Sequence, residues 1–260
     1  MVTKSESSLE QTLPEGQLVN RDWLSQRGFN RPRVDYFLRS GKLEPVAHGV
    51  YRRPGPPLKW EHVVYSLMEL GYPVHVGGRS ALELQGLVHY LPSGGMRRID
   101  LYGSSKVPTW VVNYPADFRF VVHTRRLFNQ LPKEAVKTKP FGSWDWPIAY
   151  AAPELAMFEL LSEVREAADF KVADKIFEAA TNFRPDLLHT LLRTCSQVKA
   201  KRLFLWFSDR HGHDWRKALN IDGINLGKGK RMLVKGGAFD PTYQITIPRE
   251  MAVGSEQPIY

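Results

Sequence analysis

Apolar residues first recur at helical spacing between Asn20 and Gly41. Trp23 and Leu24 fall inside a short segment that begins at Asn20, a residue able to cap a helix, and stops at Gly28, where a left-handed backbone costs glycine little. Asn30 then caps a second segment. Pro32 suits its first turn, Val34, Phe37 and Leu38 make its buried stripe, and Gly41 closes it. Leu43–Ala47 and Val50–Arg53 follow as two short strands around His48-Gly49, and Pro54-Gly55-Pro56-Pro57 is a stiff breaker. The pattern predicts helix, tight turn, second helix and small β-hairpin, the layout of a winged helix-turn-helix. Residues 1–15 are polar and are expected to begin in disorder, with a short first helix near Leu9–Leu13.

Beyond Pro57 the periodicity is mixed. Trp60–Leu70 and Ser80–Gly86 read as helices and Tyr72–Val76 as a strand. Arg97–Gly103, Thr109–Tyr114 and Phe118–His123 are rich in β-branched and aromatic residues and read as strands, and Asp145–Tyr150 as a short extended piece. From Pro153 the period becomes helical: Leu155, Phe158, Leu161 and Val164, then Phe170, Ala173, Phe177 and Ala180. A third helix opens at Pro185, a fourth covers Gln197–Arg210, and Arg231–Val234 with Tyr243–Ile247 suggests a closing hairpin. The predicted class is α+β: an N-terminal winged helix-turn-helix (1–57) followed by a larger mixed α/β C-terminal region with a helical lobe (58–260). That region is one domain or two lobes dividing near Pro153.

Composition and charge sharpen this picture. The 260 residues, 43% hydrophobic and 24% charged, suffice for real cores. The formal charge is +9, and it is uneven. Between Arg21 and Arg53 eight Lys/Arg face three acids, a surplus of five in one short segment. A basic balance favours polyanions but does not define a fold. One cysteine, Cys195, excludes an internal disulfide and a Cys-cluster zinc site, and reads as a small core side chain. No signal peptide and no apolar run of membrane-spanning length is visible, so a cytoplasmic protein is expected.

The candidate interface follows from geometry. A major groove admits one α-helix, whose N-terminal residues reach base edges. Asn30, Arg31, Arg33 and Tyr36 occupy that place, Arg39 and Lys42 suit phosphates, and His48, Arg52 and Arg53 sit on the wing. A basic face on an ordinary three-helix domain, or a winged helix used for protein contact, would carry the same residues.

Other motifs are weaker. His211-Gly212-His213-Asp214-Trp215 has no obvious third ligand and reads as a polar loop with Trp215 inward, so no metal is expected. Gly227-Lys228-Gly229-Lys230-Arg231 lacks the P-loop pattern. It reads as a solvated basic turn, or as a polyanion or partner contact through Lys228, Lys230 and Arg231. Gly77-Gly78-Arg79-Ser80 could hold an anion but reads better as a turn with Ser80 as cap. His75, His89, Asp100, Asp117, His123 and Asp145 are scattered, with Asp100 and Lys106 the one faint nuclease-like pair. No cofactor and no catalysis are expected.

Several segments together look familiar: Leu24–Gly28, Leu38–Leu43, Gly49–Pro54, Gly78–Gly86, Ser162–Val164, Phe183–Leu187, Val198–Leu205, Leu226–Arg231, and Gly236-Gly237 before Tyr243. In this order they resemble the AbiEi antitoxins of type IV, abortive-infection toxin–antitoxin systems, over nearly the whole chain. The resemblance implies two roles in phage defence. The winged helix would repress its own operon by binding promoter repeats in double-stranded DNA. The C-terminal region would counter a nucleotidyltransferase-type toxin from the neighbouring gene without forming a stable complex. A ligand-sensing transcriptional regulator without a toxin partner is the alternative, since the aromatic-rich middle permits a pocket.

Overall fold

A computed structural model describes residues 8–88, 96–103 and 106–252. The polar stretch 1–7 and His89 lie outside the described residues. Compactness divides the chain into two units, one of residues 1–76, 94–124 and 138–149, the other of 77–93, 125–137 and 150–260. Both α-helices and β-sheets are present in quantity, so the α+β class holds.

The first unit opens with α1 (Leu9–Thr12), whose cap Ser8 exchanges hydrogen bonds with Gln11. Strand β1 (Val19–Asn20) leads into α2 (Arg21–Gln26), then α3 (Arg31–Arg39), β2 (Glu44–Ala47) and β3 (Val50–Arg52). β1 and β2 flank β3 in an antiparallel sheet, with Val19 opposite Tyr51 and Glu44 opposite Arg52. One apolar core joins these pieces: Leu9, Leu13, Val19, Trp23, Leu24, Phe29, Val34, Phe37, Leu43 and Tyr51. Leu38, assigned to the buried stripe, is only partly buried.

The same unit holds α4 (Trp60–Glu69), β4 (Val74–Val76), β5 (Arg97–Gly103), α6 (Thr109–Val112), β6 (Phe118–His123) and most of β7 (Val136–Phe141) and β8 (Trp146–Ala151). Helix α5 (Gly78–Leu84) belongs to the second unit. The strands form one sheet in the order β6-β5-β4-β8-β7. β5 and β6 run parallel, with Ile99 opposite Phe120. Parallel neighbours require a crossover rather than a hairpin. The connection between them carries α6, where the β-branched run had suggested a strand. Pro108 starts that turn of helix and Val111 is its buried residue, while Val112 stays 53% exposed. β7 is an edge strand, mostly exposed, and contains Lys137, Lys139 and Pro140.

In the second unit α5 packs on α7 (Pro153–Glu163), and α7 and α8 (Ala167–Ala179) pack on α10 (Val198–His211), with α9 (Pro185–Thr194) and α11 (Asp214–Ala218) beside them. The core is aromatic. Phe158 stacks on Phe204 at 4.6 Å between centroids and Phe177 on Phe207 at 5.0 Å. Cys195 is buried, and burial pushes its thiol pKa up. The closing hairpin pairs β9 (Ala238–Asp240) with β10 (Ile245–Ile247). Arg231–Val234, expected as the partner strand, instead lies alongside β10 through one bridge, Arg231 to Ile245. Leu233 and Val234 donate to the Thr246 hydroxyl, not to a backbone ladder. Among the described residues no helix is long and apolar enough to cross a membrane.

Candidate nucleic-acid interface

The α2–α3 pair is held by caps and one polar link. Asn20 Oδ1 accepts from the Trp23 amide at 2.8 Å, and Asn30 Oδ1 accepts from the Arg33 amide at 3.1 Å. Between the helices Gly28 has φ +87°. Arg21 of α2 donates through Nη2 to Asp35 of α3 at 2.8 Å and through Nε to the Tyr51 hydroxyl at 3.1 Å. Three elements meet at that guanidinium, and its hydrogen bond holds the Asp35 carboxyl below the ordinary aspartate range. Periodicity could not reveal this link, because the partners lie 14 and 30 residues away.

With Val34 and Phe37 buried, α3 turns its other side outward. Tyr36 is 53% exposed, and Arg39 and Lys42 are exposed beyond it. The Arg31 side chain is 86% exposed, with Nε 4.0 Å from Asp35. Arg33 borders the core, its guanidinium 5.0 Å from the Phe29 ring centroid. His48 is exposed at the hairpin tip beside Gly49, whose φ is +73°.

Two of the residues assigned to the wing are turned to internal work. Arg52 donates through Nε to Glu44 at 2.5 Å and through its two Nη groups to the Pro56 and Gly55 carbonyls. Its side chain is 15% exposed, so it braces the hairpin against the proline turn. Arg53 donates to the Leu13 carbonyl at 3.3 Å. Asn30, too, commits its carboxamide oxygen to the helix cap. The structure therefore gathers Arg31, Arg33, Tyr36, Arg39 and Lys42 on or next to α3, with His48 on the hairpin.

The remaining motifs resolve into structure. The N-terminus of α5 is capped at Gly77, not Ser80, and the Gly78 amide donates at 2.8 Å to the buried carboxylate of Glu159. A protein carboxylate thus fills the place an external anion would take. Asp100 accepts from Arg98 at 2.6 Å and lies 2.8 Å from His123 Nε2. Burial alone would raise its pKa, but these hydrogen bonds outweigh it and hold it low. His211 meets Asp174, His213 meets the Phe177 carbonyl, and Trp215 donates to the Ala180 carbonyl. Among the described residues no three metal-ligating side chains converge. Lys228, Lys230 and Arg231 are exposed on a loop of the second unit.

Two family models match the chain. One, described as transcriptional regulator, AbiEi antitoxin N-terminal domain, covers residues 3–93. The other, transcriptional regulator, AbiEi antitoxin, type IV TA system, covers residues 96–248. The chain belongs to the AbiEi antitoxin family. No curated protein matches it by sequence. Among solved structures, that of the RV2827C protein from Mycobacterium tuberculosis is similar at 14% identity, over 90% of this chain and 88% of that one, with a TM-score of 0.55. At that identity the likeness is one of fold. In this AbiEi-family chain the first model ends within the residues that follow α5, so it spans the α2–α3 segment, its hairpin and α4.

Proposed function

We propose that this AbiEi-family regulator binds its own promoter repeats through a winged helix-turn-helix, with α3 as recognition helix and the β2–β3 hairpin as wing. The supporting observation is the exposed side of α3, where Arg31, Tyr36 and Arg39 stand opposite the buried Val34 and Phe37. Arg31, Arg33 and Tyr36 address base edges. Asn30, Arg39, Lys42 and His48 address the backbone, which sets register. Arg52 and Arg53 act by fixing the wing. Residues 1–57 are the DNA-binding domain and 58–260 the antitoxin region. That region opposes a nucleotidyltransferase-type toxin in a cytoplasmic phage-defence system, without a stable complex and without catalysis of its own.

The test is a binding titration of the protein's upstream DNA against a scrambled duplex over a salt series. Selective binding that survives moderate salt is expected. Arg31→Ala with Arg33→Ala should lower upstream affinity; unchanged affinity would refute the recognition-helix assignment. A second reading, a ligand-sensing regulator, is favoured by one feature. A cleft of about 300 Å³ in the first unit is lined by Glu15, His62, Phe141, Trp144 and Trp146. Absence of a toxin gene beside this one would support that reading.

A further inference from the structure

The loop after Asn225 and the hairpin that follows carry chemistry that recognition by α3 does not use. From Gly223 to Phe239 there are four cations, Lys228, Lys230, Arg231 and Lys235, and no carboxylate. All four are exposed. Two large apolar side chains stand among them, Met232 at 75% exposure and Phe239 at 43%. The Lys230 ammonium lies 5.0 Å from the Phe239 ring centroid. Arg231 bridges to Ile245 on one side of β10, and Phe239 pairs with Thr246 on the other. The backbones of Arg231 and Phe239 therefore lie two strand spacings apart, roughly 10 Å, with the Lys230 ammonium over the Phe239 ring.

This surface is built on a fixed support. Arg202 of α10, 2% exposed, donates to the carbonyls of Leu226, Gly227, Gly229 and Gln244 at 2.7–3.2 Å. Gly227 has φ +67°, and a Cβ there would meet Val198 Cγ2 at 2.8 Å. The loop thus wraps a buried guanidinium with its carbonyls inward, while Lys228 and Lys230 remain in solvent.

We propose that this surface binds a single-stranded polynucleotide, with a base stacked on Phe239 and backbone phosphates held by Lys228, Lys230 and Arg231. Cations that track a backbone, combined with an exposed ring, are the recurring requirement for single-strand binding, because every base offers a π-face. A duplex keeps its bases stacked on one another and gives Phe239 no partner. An acidic protein would use the lysines but not the ring. The surface is cationic and aromatic, which suits phosphates and base faces rather than base edges or a 2′-hydroxyl, so RNA and DNA single strands are bound alike. The inference does not rest on the promoter-binding reading, whose residues lie in α3 and the first hairpin.

The experiment uses the full chain and fluorescence anisotropy with labelled oligouridylate, oligothymidylate and an unrelated duplex, with polyglutamate as competitor. Both single strands should bind with similar affinity and more tightly than the duplex. Phe239→Ala should weaken single-strand binding about tenfold, and Phe239→Trp should restore it. Lys228→Ala with Lys230→Ala should flatten the salt slope by about 0.7 per cation removed. Arg31→Ala with Arg33→Ala should leave single-strand binding unchanged, which separates this site from the promoter site. Melting temperatures identify any variant that fails to fold, and in that case the Phe239→Trp and lysine variants decide. Binding to single strands that is insensitive to Phe239 and the lysines, or preference for the duplex, would overturn the proposal. So would displacement by polyglutamate at concentrations that bind as tightly as the oligonucleotides, which would mark an acidic protein surface instead.

Discussion

Replacing Arg202 with Met removes four hydrogen bonds while keeping much of the apolar stem. Burial, and secondarily the nearby Arg231, pulls the Arg202 pKa below the ordinary arginine value, yet the guanidinium stays charged at any physiological pH. Its charge is offset by the carbonyls of Leu226, Gly227, Gly229 and Gln244. A hydrogen bond from a charged group contributes about 1.5–3 kcal/mol, so the gross sum is roughly 6–12 kcal/mol. Two effects reduce it: the freed carbonyls of an exposed loop rehydrate, and the variant no longer buries a cation. The net loss should be about 3 kcal/mol, at the low end of what breaking a buried charged partnership costs. For a chain of this size that lowers the melting temperature by roughly 6–12 °C. Arg202→Lys, with three donors on a point-like head, should fall between the two. Melting followed by near-ultraviolet circular dichroism, with limited proteolysis across residues 226–231, measures both the stability and the loop. If Arg202→Met melts within roughly 2 °C of the parent and its loop resists cleavage, the guanidinium is not what shapes it.

Asn30 separates stability from binding: Asn30→Ala should cost about 1 kcal/mol of stability. Asn30→Asp should keep the cap and gain from the helix dipole, yet bind the upstream DNA more weakly; tighter binding in a titration would contradict the placement of this helix end on DNA. Glu154 gives a pH dependence. Burial raises its pKa, but bidentate hydrogen bonds from Arg184 outweigh this and hold it below the ordinary glutamate range. A carboxyl depressed by folding contributes stability that is fully present above its unfolded value and lost as pH falls through the folded one. Glu154→Gln should therefore be less stable at neutral pH by about 1.5–3 kcal/mol and show a shallower loss on acidification; urea titrations giving parallel pH profiles would refute the pairing. Phe204, fully buried and stacked on Phe158, should cost about 3–5 kcal/mol when cut to Ala, and a measured loss under about 2 kcal/mol would mean the aromatic core collapses around the gap.

Much of the fold was legible where local signals suffice. Asn20 and Asn30 announced two helix starts, and apolar spacing marked α7 to α10. The β-branched and aromatic segments Arg97–Gly103 and Phe118–His123 coincide with β5 and β6. What escaped depends on distant partners. β1 has two residues, too few for alternation to show, and exists because β3 pairs with it. Val136–Phe141 carries no strand signal in its sequence, because its lysines and proline are those of a sheet edge. Trp110-Val111-Val112 has strand composition but sits on a crossover, where topology overrides propensity. At the candidate interface, periodicity gives the outer side of α3 but not the fate of Arg52. Strand alternation gives the side on which a residue lies, not the Glu44 carboxylate waiting eight positions away. The same limit hid Glu159, which caps α5 from 81 residues downstream, and Arg202, buried beside Lys201 in a mostly apolar helix.

The edge strand β7 bears on how the protein behaves when concentrated. A bare strand edge is a template on which another copy can build. Here a second copy laid along it would bring Lys137 and Lys139 of both chains together, and Pro140 would offer no amide to the new ladder. Recruitment along this side is disfavoured by repulsion and by a missing donor, at little cost to the sheet within. Neutral residues at positions 137 and 139 would expose the chain to fibre-like association while leaving every residue of α3 and the β2–β3 hairpin unchanged, so resistance to self-association is carried by residues other than the exposed cations of α3.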